Sequence, residues 1–231
     1  LRAGKSKFSL GCLPKEDFPI IEVGDLETEI NIDSQDLLKL IDKTRFAISN
    51  EETRYFLNGI YFHKKNDEKN TSLSVVATDG HRLAKIDFDL DEKIKDIPGV
   101  IIPKKTVNEL YKLLTDNNGS IRINLNSNKI IFYINNSILI SKLIDGNFPD
   151  YTRVIPKDNT HILKINRYDF SMAVDRVSTI TNDKSPIIKF KILNNIMNMS
   201  SVNSENGTAT EDIITEYTGN EIEIGFNSKY V

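Results

Sequence analysis

Residues 165–176 can be laid on residues 32–43 at a constant offset of 133. In this register Asp36 falls on Asp169, Leu37 on Phe170, Ile41 on Val174, Asp42 on Asp175 and Lys43 on Arg176. The repeat is weak, yet it restricts the fold more than any other feature. It calls for two copies of one α+β unit, each a strand, then a helix, then further strands. A chain of 231 residues has room for two domains of ordinary size.

Residues 1–19 form a basic and apolar lead-in, with Arg2, Lys5 and Lys7 ahead of Phe8-Ser9-Leu10. They read as a strand without its sheet, and Phe18-Pro19 punctuates the chain. Residues 27–32 alternate with period two and predict a strand. Asp33-Ser34 supplies an N-cap, and Leu37, Leu38, Leu40, Ile41, Phe46 and Ile48 mark an apolar stripe. The spacing predicts a helix running to about Ala47. Short strands are expected over 59–63, 73–77, 83–88 and 99–102, with a charged hairpin loop over 64–70. After Pro103, a second helix carries Val107, Leu110, Tyr111 and Leu114 on one side. Asn117-Asn118-Gly119 ends it, and a meander over 120–125, 129–134 and 137–143 follows. The second copy adds strands over 187–192, 196–201, 213–217 and 221–225, with a turn at 204–207.

Composition removes several classes of function. No apolar run reaches 18 residues, so no helical membrane span is expected. The single Cys12 excludes an internal disulfide framework and fits a reducing, cytoplasmic location. With three dispersed His (His63, His81, His161), no metal site or cofactor is expected. A net charge of −3 argues against a surface that binds nucleic acid everywhere. It leaves room for a local basic face, because the field depends on how charge is distributed.

The most informative stretch is Ala77-Thr78-Asp79-Gly80-His81-Arg82-Leu83-Ala84. It lies between two alternating runs, and Asp79-Gly80 tolerates the positive φ of a tight hairpin turn. Read physically, it is a hairpin with Thr, His and Arg at its tip; taken alone, it reads more plainly as an ordinary solvated turn. It is preceded by Arg54-Tyr55-Phe56-Leu57-Asn58-Gly59-Ile60 and followed by Asp145-Gly146-Asn147-Phe148-Pro149-Asp150-Tyr151-Thr152-Arg153-Val154. With these three blocks in this order, the chain resembles the β sliding clamps, the processivity subunits of bacterial DNA polymerase III.

The resemblance implies an α+β DNA-clamp fold of repeated domains, with antiparallel sheets outside and helices facing DNA. It implies residues 1–24 as the end of a first domain and a linker, 25–148 as a complete second domain, and 149–231 as a third domain cut at its C-terminal side. On this reading the chain is a portion of a longer protein. The full-length protein would form a homodimeric ring around duplex DNA, while this portion alone would be monomeric. The expected partners are the polymerase III alpha subunit, the clamp loader and other proteins with a clamp-binding peptide. Their pocket would be lined here by Leu57, Thr78, Gly80, His81, Arg82, Leu83, Pro149, Arg153 and Val154. It would be incomplete, since the family draws further residues from the third domain's last strand.

A ring that slides holds phosphates and reads no bases. The candidate cations are Lys39 and Lys43, one helical turn apart, then Lys104 and Lys105 with Lys112, and Arg176 at the repeat-equivalent place of Lys43. By the resemblance the loop of Arg54, Tyr55 and Phe56 also touches DNA. Taken alone, these cations read more plainly as a solvated surface stripe. Two other functions compete with this reading. An enzyme would use Asp79 and His81 as a base with its orienter or as metal ligands, but no nucleophile elbow, phosphate loop or HExxH supports it. A β-rich peptide-binding adaptor would keep the groove and lose the DNA face.

Overall fold

In the computed structural model the described residues are 1–18, 26, 28–66, 71–89, 97–182, 186–205 and 207–231. Pro19, the expected boundary at 24/25, the start of the first alternating stretch at Glu27, residues 67–70 of the charged loop and Asn206 of the expected turn lie outside them. The chain divides into two compact units, Leu1–Pro149 and Asp150–Val231.

The first unit opens with a small exposed hairpin, β1 (Arg2–Ala3) against β2 (Ser6–Lys7), while Phe8 and Leu10 stay exposed outside it. Then β3 (Thr28–Asp33) alternates buried and exposed residues as its sequence pattern requires. The Asp33 carboxylate accepts from the Gln35 N–H and caps α1 (Ser34–Asp42), whose buried side is Leu37, Leu40 and Ile41. The helix stops at Asp42, five residues before the expected end at Ala47. Lys43 closes it, the Thr44 hydroxyl donates to the Leu40 carbonyl, and a separate 3₁₀ turn covers Arg45–Ala47. That change of direction throws Phe46 off the core stripe to 54 % exposure while Ala47 and Ile48 stay buried.

Four strands follow: β4 (Gly59–Asn66), β5 (Thr71–Thr78), β6 (Leu83–Asp89) and β7 (Val100–Pro103). Lys64 and Lys65, expected in a loop, extend β4 and pair with Leu73 and Ser72. Then come α2 (Lys104–Thr115), β8 (Ser120–Leu125), β9 (Lys129–Ile134) and β10 (Ser137–Lys142). The meander takes β3 onto its free side, giving the antiparallel order β10-β9-β8-β3, and the other sheet runs β6-β5-β4-β7. Both sheets and both helices share one core, with Leu37, Leu40, Val107, Leu110 and Leu114 against Ile30, Phe62, Val75, Ile123 and Phe132. α1 and α2 lie side by side. Arg45 stacks on Tyr111 of α2, its guanidinium carbon 3.6 Å from the ring centroid.

The second unit contains α3 (Arg167–Ser178), β11 (Ile187–Leu193), β12 (Ile196–Asn203), β13 (Gly207–Ile214) and β14 (Ile222–Asn227). Its sheet runs β13-β12-β11-β14, the same permutation as β6-β5-β4-β7. The helix N-caps, Asp33 and Asn166, fall at the offset of 133 read from the sequence. One strand differs from expectation. Ile213, Thr215 and Tyr217 do alternate as buried residues. Pairing with β12 nevertheless ends at Ile214, and beyond it the backbone turns to Asn195 and to a bridge with Lys164. The strand proper is the polar run before it, which no apolar alternation announces.

Candidate partner site and DNA-facing helices

The hairpin β5–β6 closes with Thr78 opposite Leu83, leaving residues 79–82 as its tip. Gly80 sits at φ +87°, where a side chain would be strained. The Thr78 hydroxyl donates to the Arg82 carbonyl at 2.7 Å and accepts from the Gly80 N–H at 3.1 Å. One Asp79 oxygen accepts from the N–H groups of His81 and Arg82, both at 3.0 Å; the other accepts from Arg82 Nε at 3.1 Å. Burial alone would raise the Asp79 pKa. The N–H groups of Arg82 and His81 and the Arg82 guanidinium outweigh it and hold the carboxyl below its ordinary value. The carboxylate therefore holds the turn, with both oxygens engaged by its own backbone and Arg82.

Because its folded pKa lies below the ordinary 3.8, Asp79 contributes stability above that pH and loses it as the pH falls through the folded value. Asp79→Asn is expected to cost about 1 kcal/mol at neutral pH. In urea unfolding at a series of pH values, the gap between variant and parent should close below pH 3.8.

Next to this tip lies the loop of residues 49–58. Leu57 is buried, its carbonyl accepting from the Ser49 N–H at 3.1 Å. Arg54 is held by Glu51 through both carboxylate oxygens, at 2.7 and 2.6 Å, and its Nη2 donates to the Asp79 carbonyl at 3.3 Å. Tyr55 is 54 % exposed and meets Phe56 edge to face at 5.8 Å. Both side chains border Gly146, where an added Cβ would stand 3.2 Å from Phe56 Cβ and 3.4 Å from Tyr55 Cε2. Phe148 stacks on Tyr61 at 4.9 Å, and Tyr61 stacks on His63 at 4.5 Å. Within the first unit these ties join three segments: the loop of Leu57, the tip with Thr78, Gly80, His81, Arg82 and Leu83, and the stretch ending at Pro149.

The remaining two expected pocket residues, Arg153 and Val154, belong to the second unit. Arg153 is the last residue and Val154 the C-cap of a 3₁₀ turn (Tyr151–Arg153) that Asp150 opens, the Asp150 Oδ2 accepting from Arg153 Nε at 2.8 Å. Both are exposed, Val154 at 67 %. Sequence reasoning passed over three contributors. Phe46, which the apolar stripe assigns to the core, is exposed, with the Arg82 guanidinium 5.6 Å from its ring centroid. Asp79 and Glu51 orient Arg82 and Arg54. The three-residue spacing of Glu51 and Arg54 was a readable signal; the exposure of Phe46 had none.

The cations expected to face DNA have varied surroundings. Lys39 and Lys43 are exposed, with Asp36 and Asp42 on the same helix. Lys104 and Lys105 open α2, whose first turn has no acidic residue. Positive charge there opposes the helix dipole, so local stability does not account for this pair. Lys104 donates to the Asn50 side chain, and Lys112 pairs with Glu109 at 3.0 Å. Arg176 is not the free equivalent of Lys43. Glu211 of β13 holds it through two bonds, and the longer, from Nε, is 3.0 Å. The repeat register holds at the helix start and loses its chemical meaning at the helix end, since α1 stops where α3 continues.

Among the described residues, no group of three or more His, Cys, Asp or Glu is placed to hold a metal ion. No helix formed by them is long and apolar enough to cross a membrane.

A family model described as the central domain of the DNA polymerase III beta subunit matches residues 31–150, and one for its C-terminal domain matches residues 152–231. The beta sliding clamp of Caulobacter vibrioides is 44 % identical over all 231 residues, and that of Escherichia coli is 35 % identical. Among solved structures, a Bartonella birtlesii sliding clamp bound to griselimycin superimposes with a TM-score of 0.93 at 46 % identity, over 98 % of this chain and 61 % of that one. A Caulobacter crescentus clamp also gives 0.93, at 44 % identity, over 99 % and 62 %. The chain spans 62 % of the length of both the Caulobacter vibrioides and the Escherichia coli relatives. The fold is therefore the repeated-domain clamp fold, and this chain belongs to the DNA polymerase III beta subunit family, the beta sliding clamps.

Proposed function

We propose that this chain serves a DNA sliding clamp, the ring that keeps a replicative polymerase on duplex DNA, and that it supplies the docking point for the polymerase alpha subunit, the clamp loader and similar partners. It acts in the cytoplasm as an accessory subunit with no catalytic residues of its own. The proposed domains are 1–24, 25–148 and 149–231. The observation that carries the proposal is the closed tip at residues 78–82, tied through Arg54 to the loop of Leu57. A rigid tip, apolar Leu57 and Leu83, and the Arg82 guanidinium fit a short peptide ending in apolar side chains. Each apolar anchor contributes about 1.5–3 kcal/mol when buried, so a few give an exchangeable micromolar partner.

The test is fluorescence polarisation with a labelled peptide of the Gln-Leu-x-Leu-Phe type, titrated with this chain. Saturable binding is expected. His81→Ala and Arg153→Ala should each weaken it several-fold, about 1 kcal/mol, with thermal unfolding unchanged. No binding by the parent chain would overturn the docking site. Equal affinity in either variant would remove that residue from it.

A second reading, a peptide-binding adaptor that does not encircle DNA, draws on the carboxylates interleaved with the helix cations. DNA binding and its salt dependence separate the two.

A further inference from the structure

We infer that Glu51 is a positioning residue of the partner site: acting through Arg54, it holds the tip at Asp79-Gly80 in its ligand-receiving shape. The inference rests on the docking-site reading above.

The loop bearing Glu51 is fastened to itself. The Glu51 N–H donates to Ser49 Oγ at 3.1 Å, and Asn58 Nδ2 donates to the Glu51 carbonyl at 3.0 Å. From this fixed base the carboxylate takes Arg54 with both oxygens, which sets the plane of the guanidinium as well as its place. The same guanidinium reaches the tip. Nη2, which donates to Glu51 Oε1, also donates to the Asp79 carbonyl at 3.3 Å, and Nη1 occupies the space beside Gly80, where an added Cβ would come within 2.6 Å. The missing side chain at Gly80 is what admits the guanidinium.

This brace spans two segments, since the loop carries Leu57 and the tip carries Thr78, His81 and Arg82. It also changes the expected role of Arg54. Its charge is matched by Glu51, which the guanidinium in turn holds below the usual carboxylate range. Arg54 is thus engaged with the tip and offers little to a phosphate.

The experiment is a double-mutant cycle on the chain as it stands, read by polarisation with the same labelled peptide. Glu51→Gln keeps the shape and removes the charge. It is expected to raise Kd about two- to fivefold, the range of an exposed ion pair, and to shift the Gly80 amide peak in a ¹⁵N–¹H spectrum. Thermal unfolding should not change. Arg54→Gln should cost at least as much, and the double variant no more than Arg54→Gln alone. An unchanged Kd in Glu51→Gln would overturn the inference, as would additive losses in the double variant. Both outcomes leave the docking site standing, because the parent chain still binds. A parent chain that does not bind the peptide removes the docking site and this inference with it.

Discussion

Gly59→Ala is expected to cost this chain about 3 kcal/mol or more and to abolish peptide binding with it. Gly59 is buried at the start of β4, paired with Pro103 of β7. An added Cβ would stand 2.2 Å from the Ile102 carbonyl oxygen and 2.9 Å from its carbon. The obstacle is backbone, so no rotamer change relieves it. Either β4 or β7 must move, and neither is free. Just before Gly59, the Asn58 carbonyl accepts from the Lys104 N–H at 2.9 Å, which joins the site loop to the start of α2. Just after it come Tyr61, carrying Phe148, and the buried Ile60 and Phe62. Displacing this strand end moves Leu57, the first turn of α2 and the stretch before Pro149 together. A loss of this size is a large share of the total stability of an ordinary domain, about 5–15 kcal/mol. Chemical denaturation measures it directly. An unfolding midpoint equal to that of the parent chain would mean that the pairing of β4 with β7 gives way at Gly59 without consequence.

The same contact shows what the sequence made legible and what it hid. Local signals were strong where one residue type has one physical use. Asp33 and Gly80 landed where capping and positive φ require them. The 133-residue offset recovered the second helix N-cap because helix starts are set by neighbouring residues. Helix ends were less readable. α1 stops at Asp42 because Thr44 turns back onto Leu40, and a stripe of apolar residues extending to Ile48 gives no hint of that. The strand Gly207–Ile214 is hidden for the opposite reason: among the described residues it lies at the sheet edge, it is largely polar, and its place depends on pairing with β12. At the site, side-chain types pointed to the right segments, but their pairing could not be foreseen. Arg54 and Arg176 read as free cations until Glu51 and Glu211 appear beside them. A carboxylate from another strand, as at Arg176, is a tertiary fact that spacing along the chain does not encode.

Those pairings sharpen the expectation for DNA. Cations already matched by carboxylates release few counterions from a duplex, whereas unmatched ones contribute a slope of about −0.9 each in log K against log salt. By this measure α1 carries the weight. Lys39 and Lys43 are exposed one helical turn apart, and α1 lies beside α2, which opens on Lys104-Lys105 against its own dipole. Lys39→Glu combined with Lys43→Glu is expected to weaken binding of a random-sequence duplex about tenfold or more at low salt and to reduce the salt slope by about 2. Arg176→Gln should change the slope far less, since Glu211 already balances that charge. Fluorescence anisotropy across a salt series reads both quantities, and the parent chain should show no sequence preference, because phosphate contacts carry none. The ordering of the two variants matters more than either value. A larger loss from Arg176→Gln would mean that Glu211 lets go when DNA arrives, which would restore the repeat-equivalence of Lys43 and Arg176. A slope unmoved by either variant would leave the peptide site as the chain's working surface and favour the adaptor over the ring.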